Sequence, residues 1–149
     1  IEVNVSALTH LTRLFLPGIV ARKRGGVLNV ASTAGFQPGP LMAVYYATKA
    51  YVLSFTEALA EELVDEPVTV SCLCPGPTKT EFADIADMNM SKLFRLGAAS
   101  AKPVAEAGFR GFREGKVVVV PGIRNKVGAV SHRFAPRSFV RRVVKKLQE

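Results

Sequence analysis

Val27-Leu-Asn-Val-Ala-Ser-Thr-Ala-Gly35 and Val44-Tyr-Tyr-Ala-Thr-Lys49 are the two stretches on which the reading of this chain turns. The first is a short apolar run between Gly25-Gly26 and the turn-rich Phe36-Gln-Pro-Gly-Pro40. It predicts a strand buried on both faces over residues 27–32, with Ser32 at its C-terminal end. The second opens a helix that runs to about Val64 and is stopped by Pro67. Ala47, Tyr51, Phe55, Leu59 and Leu63 recur every four residues as an apolar stripe, with Glu57, Glu61 and Glu62 on other faces.

Working outward, residues 1–24 read as one helix bent at Pro17, with Leu8, Leu11, Phe15 and Ile19 at spacings of three and four. Arg22, Lys23 and Arg24 complement its dipole ahead of a Gly25-Gly26 C-cap. Two further apolar runs, residues 68–74 and 116–120, are closed by Pro75-Gly76 and Pro121-Gly122 and read as strands. A helix over residues 103–113 lies between them, with Ser100 as its cap. Helix and strand in alternation predict an α/β fold, a Rossmann-like doubly wound parallel sheet of which only the C-terminal strands and helices are present. Residues 78–99, with Phe82, Ile85, Met88, Met90, Leu93, Phe94 and Leu96, suit either an apolar lid over a ligand or a surface excursion packed on the sheet.

With 149 residues, 48% of them apolar, the chain is of the size and composition of one globular unit. No apolar run approaches the ~20 residues needed to span a bilayer, and no signal-peptide pattern opens the sequence, so a cytoplasmic protein is expected. The chain starts inside a helical pattern without Met and lacks a Gly-rich phosphate turn between a strand and a helix, so it reads as a portion of something longer. Cys72 and Cys74, two apart in an apolar run, are expected as buried, reduced core thiols, and neither they nor the isolated His10 and His132 read as a metal site.

Ser32 precedes Tyr45 by thirteen positions, and Tyr45 precedes Lys49 by one helical turn. In an open parallel sheet ligands bind beyond the carboxyl ends of the strands, where Ser32 and Pro75-Gly76 both fall. An unperturbed phenol, of pKa about 10, is too weak an acid to protonate an alkoxide at neutral pH. A neighbouring ammonium favours the phenolate, and lowering the phenol by about two units takes roughly 2.7 kcal/mol of differential stabilisation. Lys49 carries such an ammonium one turn from the phenol, and Ser32 carries a neutral hydroxyl donor.

The ordered set Asn4, Asn29-Val-Ala-Ser32, Tyr45, Lys49 and Pro75-Gly76 resembles the short-chain dehydrogenase/reductase family over residues 1–122. The resemblance implies an oxidoreductase that moves a hydride between NADP(H) or NAD(H) and a ketone or secondary alcohol. Tyr45 would be the acid/base, and Ser32 the carbonyl donor. Lys49 would be the activator and ribose ligand, and Asn4 the organiser of a proton relay through a distorted helix. It places Pro75, Gly76, Thr78 and Thr80 against the nicotinamide carboxamide and nearby phosphate. It also implies homo-oligomers, often built from the two helices at residues 1–24 and about 43–64. The apolar character of residues 78–99 points to a lipophilic or acyl substrate. A non-catalytic dinucleotide-fold module is the alternative. Tyr46 is either a wall of the substrate pocket or a packing residue.

Residues 123–149 form a basic amphipathic tail. From Gly122 onward eight Lys or Arg face Glu149, a net +7, which leaves +1 of the chain's +8 to all the rest. Val140, Val143, Val144 and Leu147 make a helical stripe beside the paired cations. Such a helix tucks its valines onto its own domain or a neighbouring subunit, docks an acidic partner such as an acyl carrier or a coenzyme A thioester, or lies on an anionic membrane. Nucleic acid is not expected, because stacking aromatics and a binding motif are missing.

Overall fold

The computed structural model describes residues 1–81 and 97–148. Its centre is a three-stranded parallel sheet of β1 (Gly26–Val30), β2 (Thr69–Leu73) and β5 (Val118–Val119), in that order. Gly26 to Val30 pair in register with Thr69 to Leu73, and Cys72 and Leu73 with Val118 and Val119. Alternation along β2 divides the core between two layers of helices. Cys72 and Cys74 point to one face and pack with Ala31, Val52 and Leu53 of the α2 side. Leu73 points to the other and packs with Val104 and Val119 under α3 (Ala101–Arg113). Helices on both faces of a parallel sheet are the doubly wound arrangement that the sequence predicts. The two thiols are free and buried, as expected.

The strands are shorter than the apolar runs. Ser32 lies two residues beyond β1, as the N-cap of a 3-10 helix over Thr33–Phe36, and accepts a hydrogen bond from Ala34 N–H at 3.1 Å. The backbone still follows β2: Ala31 N–H donates to Leu73 O and Thr33 N–H to Pro75 O, each at 2.8 Å. Ser32 therefore faces the rim although the ladder has ended.

The helix that carries Tyr45 and Lys49 is α2 (Ala43–Glu62), and its buried residues are Tyr46, Thr48, Val52, Leu53 and Thr56. The four-residue apolar stripe begins on the outside, with Ala47 and Tyr51 exposed and Tyr51 stacked on Phe55 at 5.7 Å. The reason is hydroxyl chemistry. Thr48 donates to Tyr45 O at 2.8 Å and Thr56 to Val52 O at 2.6 Å, so neither carries an unmet donor into the core. Asn29 Nδ2 on β1 then donates to Thr56 Oγ1 at 3.0 Å and pins helix to strand.

The N-terminal helix begins with a π-helical turn over Glu2–Ala7 and continues as α1 (Leu8–Ala21), with Pro17 inside it. It stops before the cations that were expected to close it, Lys23 having a positive φ of 52°. Leu8 packs on the core and Ile19 is buried, while Leu11 and Phe15 face solvent. Ser100 does occupy the N-cap of α3, but its side chain makes no capping bond. Its backbone is taken by a two-strand parallel pair, β3 (Thr78–Lys79) with β4 (Ala99–Ser100). The apolar residues read as either a lid or a surface excursion, Phe82 to Leu96, lie outside the described residues.

The basic tail folds as α4 (Ile123–Ser131), a short 3-10 turn (His132–Phe134) and α5 (Arg137–Gln148). Val140 and Val144 of α5 are buried against Ala34 and Tyr46, so these valines are tucked onto the chain's own domain. Among the described residues no helix is long and apolar enough to cross a membrane.

Candidate active site

Every residue singled out from the sequence, Asn4, Ser32, Tyr45, Lys49, Pro75, Gly76, Thr78 and Thr80, lines one cavity of about 1110 Å³ at the carboxyl ends of β1 and β2. The placement follows from local structure. The 3-10 turn after β1 presents Ser32, the first turns of α2 present Tyr45 and Lys49, and the Pro75-Gly76-Pro77 turn after β2 forms the opposite lip. Ser32 Oγ donates to Pro75 O at 3.4 Å and is hydrogen-bonded to the Tyr45 phenol. Lys49 Nζ donates to Val30 O at 3.0 Å, which ties it to the end of β1, and stands 5.9 Å from the centre of the Tyr45 ring. Thr78 Oγ1 donates to Gly76 O at 2.9 Å and braces the lip.

Electrostatics differ from expectation in one respect. Burial pushes the Tyr45 phenol above its ordinary value, opposed only in part by the hydrogen bond from Ser32. Burial likewise pushes the Lys49 ammonium below its ordinary value, opposed by the thiols of Cys72 and Cys74. The anticipated lowering of the phenol by the lysine is not a property of the chain by itself. Desolvation is the larger influence on both groups, and the ammonium is engaged by the Val30 carbonyl.

Asn4 joins the site in a way the sequence did not disclose. From within the π-turn its Nδ2 donates to Thr48 Oγ1 at 3.1 Å, and Thr48 donates in turn to the Tyr45 carbonyl. Thr48, between Tyr45 and Lys49 on α2, is thus a positioning residue; the only sequence signal was a hydroxyl three positions after the tyrosine and next to the lysine. Thr48→Val keeps the shape and removes both bonds, so a stability loss of about 1–2 kcal/mol is expected from the stranded Asn4 amide. Combining it with Asn4→Ala should cost less than the two separate losses together, because they cut the same chain. Chemical denaturation of the two single variants and the double variant measures this, and strict additivity would rule the chain out. Asn125, which donates to Pro121 O at 2.7 Å, and Gln148, which donates to the Tyr46 phenol at 2.6 Å, also border the cavity and were not anticipated.

Residues 1–90 match the short chain dehydrogenase family. The chain belongs to that family. Among relatives of this short chain dehydrogenase, the very-long-chain 3-oxoacyl-CoA reductase of Rattus norvegicus is 39% identical over 92 residues, 62% of this chain and 30% of the relative. Among solved structures, a short-chain dehydrogenase from Sphingobium yanoikuyae in complex with NADPH superposes with a TM-score of 0.75 at 27% identity, covering 91% of this chain and 52% of that one. A 7beta-hydroxysteroid dehydrogenase superposes with a TM-score of 0.80 at 25% identity, covering 95% of this chain and 56% of that one. The chain therefore spans less than a third of that curated relative and about half of those solved structures. The high coverage of this chain in both superpositions brings much of the basic tail within the dehydrogenase architecture, not only the residues that match in sequence.

Proposed function

We propose that the full-length protein is an oxidoreductase using NADP(H) or NAD(H) on a ketone or secondary alcohol, with a 3-oxoacyl thioester as the substrate class. The observation that carries the reading is the single cavity shared by Ser32, Tyr45, Lys49 and the Pro75-Gly76 lip at the ends of parallel strands. The donor set suits the nicotinamide end of a dinucleotide: an ammonium, a phenol and the Thr78 and Thr80 hydroxyls border the same space. Lys49 and Tyr45 would hold the ribose, and Thr78 and Thr80 the carboxamide and nearby phosphate. When bound, the nicotinamide supplies or accepts the hydride at the carbonyl carbon.

The chain's own residues manage the proton. In reduction the Tyr45 phenol gives its proton to the carbonyl oxygen as that oxygen gains charge, and Ser32 donates a hydrogen bond to the same oxygen. In oxidation the phenolate takes the alcohol proton, so the rate rises with pH through the phenol's titration. Because the Ser32 hydrogen bond is the influence that lowers this phenol, Ser32→Ala is expected to move the rising limb of the oxidation profile to higher pH. A limb that stays in place, or moves down, would show that Ser32 does not act on Tyr45.

An acyl substrate is supported by the apolar side chains that border the cavity, among them Val104, Val143 and Leu147, and by the named activity of the rat relative. The cations of α5 would face the phosphates of a thioester carrier. Leu11, Leu14 and Phe15, exposed on α1, the helix whose Thr9 is hydrogen-bonded to Tyr51 of the stack, would be covered in a homo-oligomer. Free buried thiols accord with a reducing compartment such as the cytoplasm. The direct test assays full-length protein with NADPH and NADH against 3-oxoacyl thioesters and simple ketones. Cofactor binding without turnover of any carbonyl would favour the non-catalytic module instead.

A further inference from the structure

We infer that α5 is a latched roof over the substrate cleft, held to the catalytic helix by the Gln148–Tyr46 hydrogen bond, and that it selects carbonyl substrates bearing a long apolar chain. The inference rests on the oxidoreductase reading and specifies which substrates that site admits. Four observations carry it. Tyr46 follows the proposed acid directly, its ring meets that of Tyr45 edge-on at 6.0 Å and 76°, and its phenol reaches across 102 positions of sequence to the amide of Gln148. Tyr46 is only 5% exposed, so without that amide a buried hydroxyl oxygen would lose its partner.

The apolar stripe of α5 is also divided between two tasks. Val140 and Val144 are spent on the core with Ala34 and Tyr46, which anchors the helix. Val143 and Phe139 border the cavity yet remain 39% and 59% exposed, and Leu147 borders it half-buried. Those three present an apolar ceiling that stays at least partly exposed among the described residues, on the same helix that Val140 and Val144 anchor. A chain extending from a carbonyl beside Tyr45 would cover them. Finally, Arg137, Arg141, Arg142 and Lys146 lie on exposed positions of α5, so the roof is apolar within and cationic without.

The test uses full-length protein with the N-acetylcysteamine thioesters of 3-oxobutanoate and 3-oxododecanoate, which carry no phosphate and so isolate the chain from the carrier. Binding is measured by calorimetry and reduction by steady-state kinetics. Wild type should favour the twelve-carbon chain through KM. Val143→Phe, at a position with room toward the cavity, should lower the long-to-short ratio of kcat/KM by about fivefold or more. Gln148→Leu and Tyr46→Phe should each raise KM for the long chain with kcat retained, and the double variant should do no more than either alone. A Val143→Phe ratio that falls less than fivefold overturns the roof, and a long-chain KM unmoved by Gln148→Leu overturns the latch. Wild type that binds the long chain preferentially but reduces neither thioester would strike the proposed reaction and leave the roof standing.

Discussion

Tyr45→Phe in the full-length protein is expected to lower kcat for carbonyl reduction by about 10³-fold, within the span that a positioned general acid contributes. The substitution removes one oxygen and leaves the ring. The ring's edge contact with Tyr46 and its approach to Lys49 depend on the aromatic face and not on the hydroxyl. Ser32 keeps Ala34 N–H as donor and Pro75 O as acceptor, so the serine is not left unpaired. Stability should therefore change by less than about 1 kcal/mol, and substrate KM should change far less than kcat. Single-turnover hydride transfer beside thermal unfolding separates these quantities. Retention of more than a tenth of the wild-type rate would remove Tyr45 from the chemistry.

Gly35→Ala should produce the largest combined loss of stability and activity. A Cβ at this position would stand 2.7 Å from Lys49 O, 3.0 Å from Lys49 C and 3.3 Å from Ala50 N. All three are backbone atoms of α2, so no side chain can rotate out of the way. The 3-10 turn that carries Ser32 must retreat from the helix that carries Tyr45 and Lys49. Overpacking of this kind costs about 1–3 kcal/mol, and a displacement near 1 Å between reacting groups costs about 10² in rate. Urea denaturation and kcat on the same preparation test both effects. Wild-type values for both would mean that the close approach of turn and helix is not needed.

The alternation of elements was legible because each apolar run ends at a Pro or Gly turn, and the three parallel strands fall on those runs, β1 starting one residue early at Gly26. The end of β1 was not, because Ser32 continues the backbone path along β2 while its side chain caps the next turn. The face that α2 buries was not legible for a related reason: Thr48 and Thr56 return their hydroxyls to the helix and enter the core, whereas the Tyr51 and Phe55 rings stack on each other. Spacing along one helix brought Tyr45 and Lys49 together on paper, and the ends of two strands supplied Ser32 and Pro75-Gly76. Thr48 and Gln148 escaped notice because their partners, Asn4 and Tyr46, are distant in sequence, and such pairings leave no local pattern. The direction of the phenol's shift was missed because desolvation depends on how much chain surrounds a group, which no spacing records.

The Ser32 hydroxyl has a single proton and more than one claimant for it. Ala34 N–H occupies one of its lone pairs, and the serine's own proton is shared between Pro75 O, at a long 3.4 Å, and the oxygen of Tyr45. The Pro75 carbonyl is in effect a parking place, near enough to keep the hydroxyl oriented and too far to hold it firmly. An incoming carbonyl oxygen could claim the proton from the long bond to Pro75 O, a partner too distant to hold it strongly. The same looseness keeps the serine interchangeable between two errands, steadying the tyrosine and steadying the substrate.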